Sequence, residues 1–354
     1  MALLISLFVL SILVIVHELG HFLAAKKAGL AVEEFGLGYP PRLVSVKHRG
    51  TVYSLNAVPF GGFVKIDEDA LVDYPKSVRA SIIASGIIMN LLLAVLAFSL
   101  VFGVLGIPRS KGFVEIEAVS PGSPADEAGF QAGDRILSSH LRGVPAGHLG
   151  GVTTSNQEFV TFINQHLDEE VELKLERQGQ ILTATVVPRE TPPAGEGPLG
   201  VVISDSETIQ PVWWQRPFLA LWFGLKETGS WLITILFGVA QIFYRLLFQW
   251  VIPQDVAGPV GIIQVTSQAA KHGFLALLQF LGLLSVNLAV LNFLPIPALD
   301  GGRLLFIAIE AVTGKKPQPR FEKIIHTIGM VILLTLMTAV TLQDIKRVLM
   351  PSLF

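Results

Sequence analysis

Residues 1–16, MALLISLFVLSILVIV, carry no charge, and residues 17–21 then read HELGH. A helix needs about 20 apolar residues to cross the hydrocarbon core of a bilayer, so the chain opens with a membrane span that ends in two imidazoles and a carboxylate. An ionisable side chain deep in such a helix costs roughly 2.5–3.5 kcal/mol on insertion scales and tends to mark a pathway or a site. Lys26 and Lys27 follow the apolar run instead of preceding it, the reverse of a cleaved secretory signal. The helix is therefore expected to be retained, with its C-terminal end facing the cytoplasm.

The rest of the chain has the same character. Of 354 residues, 51% are hydrophobic and 15% charged, against about 25% charged in soluble domains. Met1 to Ala25, Ala80 to Ile107 and Ile324 to Leu342 are long enough to span. Leu275 to Leu294 is long enough too, but it holds Asn287 and Asn292 and runs into PIPALDGG, so it is expected to break near its end. Between the first two spans lie Lys26, Lys27, Arg42, Lys47, Arg49, Lys65, Lys76 and Arg79, which predicts a cytoplasmic loop. Within that loop Thr51 to Ile66, TVYSLNAVPFGGFVKI, is expected to form a short strand pair or re-entrant hairpin around a break at Gly61-Gly62.

From Gly112 to Ser206 the composition is that of a soluble domain, with strand-like runs FVEIEAV, VELKLERQ and ILTATVVP. It is expected on the outer side, after the second span. Trp213 to Trp250 is apolar but interrupted by Arg216, Lys226, Glu227 and Arg245, and it holds all five tryptophans. A single crossing there would put Asp300 on the side away from HELGH, so helices lying in the outer interface are expected; a true span is the alternative. The net charge of −2 gives no sign of a nucleic-acid partner. With no cysteine, any metal must be held by histidine and carboxylate.

HELGH on a helix sets His17 and His21 four residues apart on one face, able to share a zinc ion, with Glu18 beside them as a general base. A catalytic zinc site usually takes three protein ligands and leaves a position for water. Asp300 in PALDGGR follows the broken helix and approaches the same side of the membrane. Read by itself, it is better explained as an ordinary Asp-Gly turn at a helix end. Among the remaining histidines only His326 lies near a span, and it ranks below Asp300 as a ligand. Zinc would acidify a bound water, and Glu18 could take its proton and pass it to a leaving amine.

These motifs together resemble the site-2 zinc metalloproteases of regulated intramembrane proteolysis, in their bacterial PDZ-containing form. HELGH matches the family's HExxH, and NFLPIPALDGG, Asn292 to Gly302, matches NxxPxPxLDGG. The resemblance implies His17, His21 and Asp300 as Zn2+ ligands and Glu18 as the catalytic base. It implies that Asn287 and Asn292 engage and unwind the substrate helix. PFGGFVKI, with Gly61, Gly62, Phe63 and Val64, resembles the family's membrane re-entrant β-hairpin, whose edge pairs with an extended substrate. SPADEAGFQAGDRIL resembles a PDZ stretch, and GPLGVVI, with Leu199, Gly200 and Val201, its carboxylate-binding loop and ligand strand. SGIIMN departs from AGPxxN in the second span: Gly86 and Asn90 match, while Ile87 replaces the proline.

The expected fold is a polytopic α-helical membrane protein of about four transmembrane helices, with the re-entrant hairpin and one inserted extracytoplasmic PDZ domain. Its expected parts are an N-terminal membrane core (1–111), the PDZ domain (112–206), amphipathic interfacial helices (207–274) and a C-terminal membrane core (275–354). The expected function is hydrolysis of peptide bonds within transmembrane segments of single-span proteins, such as a pre-trimmed anti-sigma factor or remnant signal peptides. The bacterial inner membrane is the expected location. Expected partners are that substrate, the lipid bilayer and, at the PDZ domain, a C-terminal peptide, with a domain that only filters substrates by size over the active site as the equal alternative. The rival is a catalytically inactive PDZ scaffold; a transporter is disfavoured because no inverted halves are visible.

Overall fold

The uncharged N-terminal run folds as one helix, α1 (Ala2–Lys27), in a computed structural model that describes residues 2–141, 151–152, 155–193, 195–249, 258–316 and 318–349. Strands β1 (Val32–His48) and β2 (Thr51–Ile66), a short helix α2 (Glu68–Val72) and the long helix α3 (Lys76–Leu105) follow. Next come β3 (Ile107–Val119), α4 (Pro124–Glu127), β4 (Arg135–Leu141), β5 (Gly151–Val152), α5 (Asn156–Gln165), β6 (Val171–Arg177), β7 (Gln180–Val186) and β8 (Val201–Ile209). The chain then returns to long helices: α6 (Arg216–Tyr244), closed by a π-helical turn over Arg245–Gln249, α7 (Pro259–Lys271), α8 (Phe274–Phe293), α9 (Asp300–Thr313) and α10 (Pro319–Leu349). Two compact units result, one of residues 1–104 with 212–354 and one of residues 105–211.

In the first unit, four helices among the described residues are long and apolar enough to cross a membrane: Leu3–Lys27, Lys76–Leu105, Phe274–Phe293 and Arg320–Lys346. This is a multi-pass membrane protein. The expected hairpin is larger and turns elsewhere. The turn falls at Arg49-Gly50, both with positive φ (47° and 82°), and His48 pairs with Thr51 across it. Two-residue hairpin loops need that left-handed geometry to match strand twist. Gly61 is a bend inside β2, not the turn. Glu34 to Leu37 have partners on both sides, Lys65 to Gly62 on one and Val52 to Leu55 on the other. Residues 62–66 therefore form an outer edge of the sheet. Ser11 of α1 ties that edge down, since its hydroxyl accepts from Gly61 N–H at 3.2 Å.

The Trp-rich segment also departs from expectation; Trp250 lies outside the described residues. One continuous helix, α6, forms where several were expected, and it packs lengthwise against α3. Ala220, Gly224 and Thr228, spaced by four, are buried; Ala220 lies against Gly103 and Gly224 against Ser99. Further along, Trp231, Leu232, Ile235 and Val239 pack on Ala94 and Phe98 of α3 and Val286 and Val290 of α8. Such small-residue stripes let helix backbones approach closely in a membrane.

Pro295 and Pro297 end α8, because proline cannot continue a helix, and the chain turns sharply into α9. Gly301 and Gly302 make the turn possible: a Cβ on either would strike carbonyl oxygens of residues 293–296. From α10, His326 Nδ1 accepts the Ala298 N–H at 2.9 Å. That bond holds the loop that carries Asp300.

The second unit is a six-stranded sheet in the order β7-β6-β4-β3-β8, with β5 on β4, packed around Val114, Ile116, Ile136, Phe159, Leu173 and Leu175. Its limits are wider than the expected 112–206, because Ile107 to Ser110 pair with Ile209 to Ser206. Asp134 is fully buried beside this core, and Arg177 donates Nε and Nη2 to its two oxygens at 2.6 and 2.7 Å. Burial alone would raise the Asp134 carboxyl, but the Arg177 fork and the Gln131 N–H outweigh it and hold the group below its ordinary value. The sign follows: this contribution to stability is complete above the unfolded value of about 3.9 and is lost as pH falls through the folded one. Amide protection factors across 105–211 should fall on acidification below about pH 4. In Arg177→Met the carboxylate is buried without its partner, so protection drops at neutral pH and acid restores part of it. Equal loss at both pH values would contradict this account.

Candidate metal centre

Helical spacing puts His17 and His21 on one face of α1, their rings 4.8 Å apart and nearly perpendicular. Asp300, the first residue of α9, meets them: its Oδ2 lies 3.0 Å from His17 Nε2 and 3.3 Å from His21 Nε2. The two Nε2 atoms are 3.2 Å apart. Helices α1 and α9, far apart in sequence, thus bring three donor atoms to one point.

The outer contacts fix what those atoms can do. His21 Nδ1 lies 2.9 Å from the Ile82 carbonyl of α3, which can only accept, so Nδ1 carries the ring proton and Nε2 of the neutral ring offers a lone pair. His17 Nδ1 lies 3.2 Å from the side-chain amide of Asn90, a fully buried residue of α3. Asn90 Oδ1 has no donor where the amide nitrogen faces the ring; a half turn of the amide presents Oδ1 to an Nδ1 proton and frees Nε2 in the same way. Asp300 Oδ2 is buried with no hydrogen-bond donor. With the ring protons on the two Nδ1 atoms, two nitrogen lone pairs and a carboxylate oxygen would face one another, which is the donor set of a cation. Nitrogen and oxygen donors of this kind suit zinc, which needs no thiolate.

The donors open into a cavity of about 640 Å³ lined also by Glu18, Val64, Lys65, Asp67, Ala298 and Arg303. Glu18 Oε2 accepts the Val64 N–H at 3.0 Å, so the outer edge of the sheet holds that carboxylate beside the donors. Gly86 of α3 faces both rings: a Cβ there would lie 2.5 Å from His21 Nε2 and 2.6 Å from His17 Cε1.

Of the residues singled out in the sequence, His17, Glu18, His21, Val64 and Asp300 meet at this cavity. Gly61, Gly62 and Phe63 sit further along the same edge, Phe63 stacked on Tyr39. Asn287 and Asn292 are half-buried on α8 and do not line the cavity. Leu199, Gly200 and Val201 belong to the other unit. Three partners were not anticipated as site residues: Asn90, the Ile82 carbonyl and His326. A lone amide in an apolar span was the available signal for Asn90; a carbonyl leaves none.

A multi-pass membrane protein with two histidines and an aspartate at one point, and a free carboxylate beside them, falls in the class of metal-dependent membrane hydrolases. Residues 5–336 match the model of peptidase family M50. The chain belongs to that family and is a zinc-dependent metalloprotease. It is 35% identical over 357 residues to a candidate zinc metalloprotease of Clostridium perfringens, across 96% of this chain and 97% of that one. A candidate zinc metalloprotease of Nostoc sp. is 31% identical over 351 residues, covering 95% and 93%. The zinc metalloprotease RasP of Geobacillus kaustophilus is 29% identical over 425 residues, covering 95% of each chain.

Proposed function

We propose that the protein is a site-2 protease of the bacterial inner membrane, hydrolysing peptide bonds within transmembrane segments of single-span proteins, with His17, His21 and Asp300 as zinc ligands and Glu18 as the base. The observation that carries this reading is the meeting of the three donors with a carboxylate hydrogen-bonded to a strand edge.

Bound at these donors, zinc supplies a Lewis acid and lowers the pKa of its water to about 7. Glu18, held by Val64 N–H, takes the water proton as the oxygen attacks the scissile carbonyl carbon. It returns that proton to the amine as the carbon–nitrogen bond breaks. A helix whose carbonyls are all hydrogen-bonded resists such attack, so the substrate must unwind. Along residues 61–64, at the outer edge of β2, the backbone groups not taken by Ser11 and Glu18 are those that would pair with an added strand and replace the helical bonds lost. Asn287 and Asn292 on α8 offer amides to the unwound segment.

Residues 105–211 form, in this reading, a permuted PDZ domain outside the cytoplasm, while the metal site faces the cytoplasmic side. Two observations support it. A cavity of about 160 Å³ lies between α5 and the start of β8, lined by Phe159, Ile163, Leu199, Gly200 and Val201. The Arg189 guanidinium sits against Gly200. An apolar slot beside a guanidinium, here paired with Glu196 at 2.7 Å, suits the last side chain of a C-terminal peptide.

The test needs no substrate. Purified in detergent, the wild type should hold about one zinc per chain, and Asp300→Ala should lose most of it, because two ligands make an incomplete site. A folded wild type without zinc after zinc is supplied would defeat the ligand assignment.

A further inference from the structure

Arg79 of α3 and Glu310 of α9 are both buried, 8% and 3% exposed, and their Nη1 and Oε2 atoms are 2.7 Å apart. Lys76 Nζ adds a bond to the Glu310 carbonyl at 3.2 Å. None of these groups touches the metal donors. A buried ion pair is a poor device for stability alone, because an apolar pair of similar volume does as well or better. What it has over an apolar pair is direction: the charged bond from Arg79 Nη1 to Glu310 Oε2 is made in few geometries.

We propose that the Arg79–Glu310 pair is a positioning device that fixes α9, and through it Asp300, relative to His17 and His21, and so sets zinc affinity. This rests on the reading of those three residues as the ligands. The remaining parts of the site already lean on α3: Ile82 holds His21, Asn90 holds His17, and Gly86 admits both rings. Asp300 arrives on a different helix. Its near end is held by the close turn at Gly301 and Gly302, and its far end by Glu310, ten residues on and about 15 Å along the axis. With the Glu310 contact released, α9 is free to roll about its own axis, and a roll of about 10° carries a carboxylate about 6 Å from that axis through about 1 Å. Metal–ligand distances tolerate only about 0.2 Å. Fixing the roll of α9 is therefore a condition for a tight three-ligand site.

The experiment measures zinc affinity of the full chain in detergent, by competition with a chelator, alongside thermal unfolding of the zinc-free protein. The variants are Arg79→Lys, which keeps the charge and loses the planar guanidinium, and Arg79→Met with Glu310→Leu, which removes both charges. The expected result is zinc binding weakened about tenfold or more in both, although the double variant unfolds at the wild-type temperature. In cleavage assays kcat should fall with KM unchanged. Wild-type zinc affinity in either folded variant would overturn the proposal, whatever happens to thermal stability. Should the double variant not fold, Arg79→Lys decides alone. Asp300→Ala runs beside them: wild-type affinity there would show that the ligand reading itself has failed, whereas loss of zinc in Asp300→Ala with none in Arg79→Lys would reject the positioning role only.

Discussion

Glu18→Gln lowers peptide-bond cleavage by about 10²–10⁴-fold, the usual share of a positioned general base, and leaves zinc in place. Both halves follow from the geometry. Glutamine has the shape of glutamate, and its carbonyl can still accept the Val64 N–H that holds Oε2 at 3.0 Å. It cannot take a proton from water. The three donor atoms belong to other residues, and none of the bonds that orient them, to Ile82 and Asn90, passes through Glu18. Cleavage of a reporter with one transmembrane helix, measured with zinc per chain on the same preparation, tests this directly. Cleavage at the wild-type rate would remove Glu18 from the chemistry. Loss of zinc in the variant would mean that Glu18 belongs to the ligand set.

Part of this arrangement was legible in the sequence, and the limits are physical. His17 and His21 needed only the helical period, since residues four apart share a face. The break of α8 needed only Pro295 and Pro297. The hairpin was misplaced because a glycine pair reads as a turn, whereas the actual turn takes its left-handed residues from Arg49-Gly50, a weak signal beside Asn-Gly or Asp-Gly. The α6 segment was read by its tryptophans and charges. Its packing is set instead by Ala220, Gly224 and Thr228, a spacing that was visible but carries no meaning until a partner helix is known. Arg79 and Glu310 are 231 positions apart; no local pattern connects them. The same holds for Asn90 and His17. Local periodicity finds the ligands, and tertiary packing decides what holds them still.

Gly86→Ala tests that second layer at its tightest point, and it should cost the protein its zinc while leaving α3 intact. Alanine is preferred over glycine within a helix by about 0.8–1 kcal/mol, so the substitution does not weaken the span by propensity. The new Cβ, however, would lie 2.5 Å from His21 Nε2 and 2.6 Å from His17 Cε1, far inside van der Waals contact. Neither ring can swing away freely: His21 is bonded to the Ile82 carbonyl and His17 to Asn90. Either these bonds break or α3 moves off α1, and each outcome separates the two nitrogens from Asp300. Disturbing outer contacts alone costs about 10–100-fold in metal affinity, and a displaced ligand should cost at least as much. Helix content by circular dichroism should match the wild type while chelator competition shows the loss. One zinc per chain held at wild-type affinity would mean that α1 and α3 pack less closely than described, and that the histidines are not wedged against the second span.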